Sequence, residues 1–298
     1  MTRLDDILAE RPEADLVVRG FLFTEGPVWD AARHRLSFSD IPADRMYDWS
    51  PADGLTVSRA PSGKSNGLTR DLQGRLIACQ HARRRIVRIE ADGSETVLAD
   101  AFDNARLNSP NDVVVRSDGS VYFTDPPYGL NPVFGTEGEM ELPFAGLFRI
   151  GADGALDPVC TTITPNGLAF SPDETLLYVA DTELGALFVF DVLAGGDLSA
   201  PRLFARVAPG TAAPDGVKVD RAGRVYTTGP GGIWIFEPSG RQVGVIGVPE
   251  LPANLAWGGS DWRHLYITAR TSLYRIGLAV AGMPPARAAV ASLEMPAS

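Results

Sequence analysis

Cysteine and histidine are scarce in this chain of 298 residues, which contains two of the first and three of the second. So few thiol and imidazole groups leave little material for a His/Cys metal site or a disulfide framework. Cys79 and Cys160 are therefore expected to be free thiols in a reducing compartment. Basic residues are also in deficit, since 27 Lys and Arg against 37 Asp and Glu give a formal net charge of −10. Nucleic acids and anionic membranes require a basic face, so neither is expected as a partner.

Long apolar runs are missing as well. No stretch approaches the length of a membrane span, and the acidic segment "MTRLDDILAERPEADL" lacks the apolar centre of a signal peptide. A soluble cytoplasmic protein is therefore expected. No Gly-x-Ser-x-Gly elbow occurs, and Cys160 has no neighbouring base that would activate it as a nucleophile. Serine and cysteine hydrolases are accordingly not favoured.

Turn residues and short apolar segments dominate what is present. With 31 Gly and 23 Pro, and helical periodicity only over residues 2–10, the pattern favours an all-β chain. One hairpin pattern, a polar residue followed by a strand, a turn and a second strand, occurs six times. The polar residues that open the copies are called anchors here; they are Glu25, Asn66, Asn111, Asn166, Asp215 and Asn254.

The anchors are 41, 45, 55, 49 and 39 residues apart, and each copy's second strand begins ten or eleven residues after its anchor. A period of about 40–50 residues with about four short strands is typical of a β-propeller. A second hairpin pattern follows the first one in the second to fifth copies. The segment "DLVVRGF" (15–21) is expected to complete the last blade and close the ring. The sequence thus predicts a six-bladed β-propeller in one domain, 1–298, with an N-terminal extension over 1–14.

The innermost strands of a propeller run parallel along its channel, so the anchors should meet at one rim. Each anchor alone has an ordinary explanation, because Asn-Gly and Asp-Gly are favoured turn pairs. Turn chemistry does not explain Glu25, however, nor six copies in phase. Two carboxylates with several amide oxygens suit a hard divalent cation, such as Ca²⁺, Mg²⁺ or Mn²⁺. Open coordination positions would make such a site catalytic.

Four motifs carry a resemblance to a known family. The chain is similar to the gluconolactonase/regucalcin (senescence-marker-protein) family in "EGPVWD", "SPNDVVVRSDGSVYFTDPPYG", "PNGLAFSPD" and "PDGVKVD". The resemblance spans about residues 15–276 and implies a metal-dependent lactonase that opens sugar lactones to aldonic acids. It implies that Glu25, Asn166 and Asp215 bind one divalent ion (Ca, Zn, Mn, Mg or Fe(II)), that Asp215 is also the general base, and that Asn111 contacts substrate or ion.

The substrate side departs from the family pattern. Vertebrate members carry a substrate-binding Arg two residues before the Asn that matches Asn111, but Ser109 stands there, so Arg106 is the nearest candidate. The loop 125–146 explains the longest spacing between anchors and carries Tyr128. It is either a partial lid over the rim or a surface insertion. His81, which closes the second strand of its copy, could point into the mouth, but a packed or surface residue is the favoured expectation.

Two other functions remain open from the sequence. One is a non-catalytic propeller whose ion only ties the blades together, and the other is a promiscuous phosphotriesterase in which the ion polarises P=O instead of C=O. The preferred lactone, the physiological ion and the oligomeric state are not readable from these residues.

Overall fold

A computed structural model describes residues 2–9, 13–207, 211 and 213–284. These residues form six four-stranded antiparallel sheets and one two-stranded ribbon. The sheets are arranged as the blades of a six-bladed β-propeller, which confirms the predicted fold class. Within the described part, no helix is long and apolar enough to cross a membrane.

Each blade takes its strands in chain order from the channel outwards, and the last blade takes one strand from the N-terminal region. The strands are β1 (Asp15–Arg19), β2 (Thr24–Asp30), β3 (Arg35–Asp40), β4 (Arg45–Ser50), β5 (Gly54–Arg59), β6 (Ser65–Arg70), β7 (Leu76–Gln80), β8 (Arg85–Ile89), β9 (Glu95–Ala99), β10 (Ala101–Phe102), β11 (Ala105–Arg106), β12 (Val113–Val115), β13 (Val121–Asp125), β14 (Gly146–Ile150), β15 (Leu156–Cys160), β16 (Pro165–Phe170), β17 (Leu176–Asp181), β18 (Ala186–Asp191), β19 (Arg202–Arg206), β20 (Val217–Val219), β21 (Val225–Gly229), β22 (Gly232–Phe236), β23 (Gln242–Gly247), β24 (Asn254–Gly258), β25 (His264–Ala269) and β26 (Ser272–Gly277).

Short 3-10 helices occur at Leu4–Asp6, Pro127–Gly129 and Ala194–Gly196. The helix expected over residues 2–10 is thus a single 3-10 turn, whose start is capped where the backbone N–H of Arg3 donates to Asp6 Oδ2 at 2.8 Å. Ile7, directly after it, is fully buried and belongs to the core shared by the first, fifth and last blades.

The ring closes as the sequence predicted. Strand β1 pairs antiparallel with β26 and becomes the outer strand of the last blade. The innermost strands contact one another around the channel, so β2 lies between β6 and β24. At this junction Trp29 of the first blade stacks on Tyr266 of the last, with ring centroids 5.4 Å apart. The N-terminal and C-terminal parts of the chain therefore hold each other, and no blade edge is left between them.

A bulge follows three of the anchors. The register of the first strand pair shifts between Glu25 and Val28, between Ser65 and Leu68, and between Pro165 and Leu168. A bulge re-aims the side chain beside it. The Asn-Gly pairs of the second and fourth blades therefore lie inside the bulged start of a strand, and they are not the hairpin turns that such pairs usually form.

The glycine after an anchor lets neighbouring inner strands come close. Gly26 has φ +54°, and a Cβ built on it would lie 2.0 Å from the backbone oxygen of Asn66. A Cβ on Gly167 would lie 2.2 Å from the backbone oxygen of Asp215, to which the N–H of Gly167 donates at 3.2 Å. The anchor of one blade is thereby tied to the next blade, and this fixes the spacing of the rim.

Candidate metal and substrate site at the channel mouth

The anchors meet at one end of the channel, and the structure shows which of them are in contact. Asn254 Nδ2 donates to Glu25 Oε2 at 2.9 Å, and the N–H of Gly26 donates to the same oxygen at 2.6 Å. The amide of Asn166 lies beside the Asp215 carboxylate, and the charge of Glu25 acts on Asp215. Glu25, Asn166 and Asp215 therefore face a common space, together with Asn254.

Glu25 is almost completely buried, with 3% of its surface exposed. Burial, and next the negative charge of Asp112, raise the pKa of Glu25 to about 7. Its hydrogen bonds from Gly26 and Asn254 act in the opposite direction. A nearby positive charge would therefore stabilise the ionised form of this carboxyl group.

Asp215 is partly accessible from the mouth. Burial of its carboxyl group, followed by the charges of Glu25 and Asp112, raises its pKa well above the ordinary range. Its backbone is fixed on both sides, since its N–H donates to Thr228 Oγ1 at 2.9 Å and its carbonyl accepts from Gly167. A raised pKa and a rigid position are what a general base at neutral pH requires.

Asp112 and Lys218 complete the charge arrangement, although no sequence pattern singled them out. Asp112 Oδ2 lies 3.7 Å from Lys218 Nζ and accepts no hydrogen bond in the described part of the chain. Lys218 lowers the pKa of both Glu25 and Asp215. With all groups ionised, three carboxylates face one ammonium group, and the two remaining negative charges match one divalent cation.

Thr182 holds the amide of Asn166 and leaves the amide oxygen without a partner. The Thr182 hydroxyl donates to the Pro214 carbonyl at 2.7 Å, so its free lone pair accepts from Asn166 Nδ2 at 2.8 Å. Asn166 is 4% exposed, and its Oδ1 has no hydrogen-bond partner among the described residues. An orphaned buried oxygen of this kind fits a cation ligand.

A metal at this mouth would need amide as well as carboxylate oxygens. Among the described residues, no group of three or more His, Cys, Asp or Glu side chains is close enough to hold an ion alone. The mixed set of Glu25, Asn166 and Asp215 consists of hard oxygen donors, which suit Ca²⁺, Mg²⁺ and Mn²⁺ and also accept Zn²⁺ or Fe²⁺. The donor set thus fits the predicted ion without selecting one.

Asn111 is fixed at the same rim by its backbone. Its N–H donates to the Thr124 carbonyl and its carbonyl accepts from the N–H of Gly67, each at 2.8 Å. The residue is 6% exposed. Its neighbour Asp112, rather than Asn111 itself, is the one that acts on the Glu25 and Asp215 carboxyl groups.

The loop between β13 and β14 crosses the mouth. At Gly129 it lies against His81 and Ser109, since a Cβ there would be 2.7 Å from each side chain. One residue earlier, Tyr128 lies near Thr182 and Asp215 on the other side of the mouth. Its hydroxyl is buried without a hydrogen-bond partner in the described chain. Burial, followed by the charge of Glu183, raises the pKa of Tyr128, so the phenol is neutral.

The same loop is fastened to the second blade. Lys64 Nζ donates to the carbonyls of Pro132 and Val133 at 2.6 and 3.1 Å. Thr136 Oγ1 donates to the Ala82 carbonyl at 3.1 Å, and Phe134 makes an edge contact with Phe23 at 5.1 Å. The segment is therefore a covering that is anchored by residues following Tyr128.

Arg106 lies at the outer side of this covering. It is exposed on β11, where its backbone N–H donates to Glu141 Oε2 at 2.9 Å. Its charged neighbours, Glu141 and Arg84, are outside the ring of anchors. The structure therefore brings Tyr128, but not Arg106, to Asp215.

His81 is a buried member of the rim, with 2% of its surface exposed. Its Nε2 is 3.2 Å from Asn66 Nδ2, and its Nδ1 is 3.1 Å from the carbonyl oxygen of Phe134 in the covering loop. Burial lowers the pKa of His81 to about 4. The packed position expected for this residue is correct, and its contacts join an anchor to the loop.

The segments that lead into the anchors are held by aspartates that end second strands. Asp40 accepts the N–H groups of Leu22 and Phe23, each at 3.0 Å, through its two oxygens. Asp181 accepts the N–H of Thr164 at 3.1 Å in the equivalent place of the fourth blade. The signal for these residues was present in the repeat, because "SFSD" and "YVAD" end second strands in phase.

A separate cavity of about 370 Å³ lies at the opposite end of the channel. It is lined mainly by apolar side chains, among them Trp29, Val115 and Trp257, and contains no anchor. Lys218, which acts on Glu25 and Asp215, also lines this cavity.

The chain matches known proteins over most of its length. Residues 23–271 match the SMP-30/Gluconolactonase/LRE-like region. A gluconolactonase of Zymomonas mobilis is 33% identical, over 92% of this chain and 83% of the relative. The pentonolactonase XacC of Haloferax volcanii is 29% identical, over 89% of this chain and 94% of its own.

A solved structure is equally similar. A gluconolactonase from Xanthomonas campestris superimposes with a TM-score of 0.86 and 34% identity, covering 93% of both chains. All anchors lie within the matched residues 23–271. This chain belongs to the SMP-30/gluconolactonase/LRE-like family.

Proposed function

We propose that the protein is a metal-dependent hydrolase that opens sugar lactones to the corresponding aldonic acids. The observation that carries the proposal is the cluster of Glu25, Asn166 and Asp215, which has excess negative charge and an orphaned amide oxygen at an accessible mouth. Relatives that match most of the chain are named gluconolactonase and pentonolactonase, which supports a small lactone as the substrate.

One divalent ion would be held by Glu25, Asn166 and Asp215. When bound, such an ion supplies a Lewis acid that polarises the lactone carbonyl and stabilises negative charge on its oxygen. The charges of Asp112 and Lys218 offset each other. The two negative charges of Glu25 and Asp215 then remain, and one divalent ion balances them. This balance supports a single divalent ion.

Asp215 would also accept the proton from the attacking water. Its surroundings raise the pKa of its carboxyl group, which improves a carboxylate as a base near neutral pH. As the ring opens, the leaving ring oxygen takes up a proton and becomes the new hydroxyl. The proton on Asp215 returns to solvent, so the base is regenerated.

The remaining residues of the mouth would bind the sugar. Tyr128 lies beside the cluster with a neutral hydroxyl near Thr182 and Asp215, and a phenol hydroxyl can donate to or accept from a substrate hydroxyl. Asn111 lies at the rim beside it. Arg106 takes no part in the proposal, because its neighbours are Glu141 and Arg84.

The test is a panel of aldonolactones assayed by acid release, with chelated protein re-supplied with each divalent ion in turn. We expect hydrolysis that depends on the ion, and a loss of about a thousandfold or more in kcat in Asp215→Asn, since both a ligand and the base are removed. Asp173→Asn is the matched control, because Asp173 is exposed on the distant β16–β17 turn.

The alternatives give different results in the same experiment. Faster turnover of an organophosphate triester than of any lactone would indicate a phosphotriesterase. A rise in melting temperature with the ion, but no turnover of either class, would indicate a non-catalytic propeller. Full lactonase activity in Asp215→Asn would refute the assignment of the site.

A further inference from the structure

Asn66 occupies the same repeat position as Asn166, and its amide is held in the same manner. In the fourth blade the holding group is Thr182, the residue after the second strand β17. In the second blade it is His81, the residue after the second strand β7. The two blades thus share one arrangement, in which the residue that follows the second strand accepts a hydrogen bond from the amide NH2 group of the anchor.

The tautomer of His81 fixes the direction of this hydrogen bond. The Phe134 carbonyl can only accept, so the proton of the His81 ring is on Nδ1, which lies 3.1 Å from that oxygen. A neutral ring then has only a lone pair on Nε2, and burial keeps the ring neutral by lowering its pKa to about 4. Asn66 must therefore turn Nδ2 towards the ring, at 3.2 Å.

The consequence is a buried acceptor at the mouth. Asn66 is 4% exposed, and its Oδ1 has no hydrogen-bond partner among the described residues. A buried oxygen without a hydrogen-bond donor is energetically unfavourable unless a ligand supplies that donor. The covering loop lies directly over this place, since Gly129 packs on His81.

The position of Asn66 indicates a substrate contact rather than a metal ligand. Asn254 donates to the Glu25 carboxylate and Asn166 lies beside Asp215, whereas the amide of Asn66 is held by His81 beneath the covering loop. The charged group that acts on His81 is Lys64. The Asn66 oxygen is thus on the rim but outside the cluster, where a hydroxyl of a bound sugar ring can donate to it.

We propose that Asn66 Oδ1 is a hydrogen-bond acceptor for a hydroxyl group of the lactone substrate, and that His81 is a positioning residue that keeps this oxygen turned towards the mouth. The inference rests on the proposed lactonase function and deepens it, because it names a determinant of selectivity. A site that is built to bind a hydroxyl discriminates strongly against an analogue that lacks it.

The orientation can be measured without any enzyme assay. The chain contains three histidines, so the ¹⁵N–¹H correlation spectrum of the imidazole rings is simple, and His81→Gln assigns the signal of His81. We expect a neutral ring protonated on Nδ1 at pH 7.5. A ring protonated on Nε2 would show that Asn66 presents its NH2 group instead, and would overturn the proposal.

The selectivity is measured with two lactones of the same ring size, D-glucono-1,5-lactone and δ-valerolactone, which lacks hydroxyl groups. In Asn66→Ala we expect kcat/KM for the sugar lactone to fall on the order of tenfold to a hundredfold, mainly through KM. The value for δ-valerolactone should stay within about twofold, and so should the affinity for Mn²⁺ measured by electron paramagnetic resonance.

His81 is tested by a pair of variants. His81→Gln keeps an acceptor for Asn66 and should retain most of the selectivity, whereas His81→Leu should resemble Asn66→Ala. His34→Gln is the matched control, because His34 is exposed on the β2–β3 turn. Melting temperatures of the variants show whether each is folded.

Three outcomes would overturn the inference. They are equal losses on both lactones in Asn66→Ala, a tenfold loss of Mn²⁺ affinity in that variant, and unchanged kinetics on both substrates. If the wild-type protein hydrolyses no lactone of the aldonolactone panel, the proposed function is refuted and the substrate role of Asn66 with it. The imidazole spectrum then still decides the orientation of the Asn66 amide separately.

Discussion

Asn254 Nδ2 donates to Glu25 Oε2 over 2.9 Å, and this bond joins the inner strand of the last blade to that of the first. The two residues are 229 positions apart in the chain. They meet because β1 and β26 close the last blade and β24 then lies beside β2. The candidate metal site therefore depends on closure of the whole ring.

The first prediction concerns this bond. Asn254→Ala leaves Glu25 with one fewer donor, so the carboxylate is less well oriented. We expect the affinity for Mn²⁺ or Ca²⁺ to fall about tenfold, as is usual when a group that orients a ligand is removed. Isothermal titration calorimetry measures it, with Asn104→Ala in the exposed β10–β11 turn as the control. Equal affinities in the variant and the wild type would contradict the role of Asn254.

The second prediction concerns the repulsion between the buried carboxylates. Asp215→Asn removes a charge that acts on Glu25, so the metal-free variant should melt at a higher temperature than the metal-free wild type. The wild type should gain about 2.7 kcal/mol from an ion at one hundred times its dissociation constant, which corresponds to roughly 4–5 °C for a chain of this length. The variant should gain much less.

Differential scanning calorimetry with and without the ion decides this. Asp173→Asn should behave like the wild type under both conditions, because Asp173 lies on an exposed turn. A destabilised metal-free Asp215→Asn would mean that Glu25 and Asp215 do not repel each other in the folded protein.

The third prediction is a pH dependence caused by His81. Its pKa is lowered to about 4 in the folded protein, whereas an unfolded histidine titrates near 6.5. Between these values the unfolded state binds the extra proton, so stability is lost as the pH falls from 6.5 to 4. A shift of about 2.5 units corresponds to about 3 kcal/mol.

His81→Gln cannot take up this proton. The difference in unfolding free energy between the wild type and His81→Gln should therefore change by up to about 3 kcal/mol between pH 7 and pH 4. Urea unfolding at several pH values measures it. Parallel curves for the two proteins would show that the pKa of His81 is the same in the folded and the unfolded states.

The fourth prediction concerns the covering loop. Lys64→Met removes the donor to the Pro132 and Val133 carbonyls, so the loop should open more often. We expect faster hydrogen exchange in residues 126–145 and a KM for sugar lactones that rises a few-fold. Arg83→Met is the control, because Arg83 pairs with Glu95 outside the loop. Unchanged exchange would show that the other contacts suffice.

Much of the fold could be predicted from periodicity. The second strands begin within one residue of the predicted positions, as at Leu76 for β7 and Val121 for β13. The early strand joins the last blade as expected. These features follow from alternating apolar residues and turn signals that repeat in phase, and both are properties of short segments.

The site could be predicted only in part. The anchors carried a signal because they recur at one place in a repeat. Asp112 and Lys218 did not, since each is a single polar residue next to an anchor or inside a strand, and nothing local shows that they meet 3.7 Å apart. The roles of His81 and Thr182 could not be predicted either. They orient the amides of Asn66 and Asn166, and these contacts form only in the folded chain.

The sequence by itself determined the number of blades, the phase of their strands and the residue type at each anchor, because each blade repeats a local pattern. Only the tertiary structure decided which anchors face one another, which amide oxygens are left without a partner, and which charges remain unbalanced. These properties depend on distances between different blades. Such distances are set when the ring closes and water is excluded from the mouth.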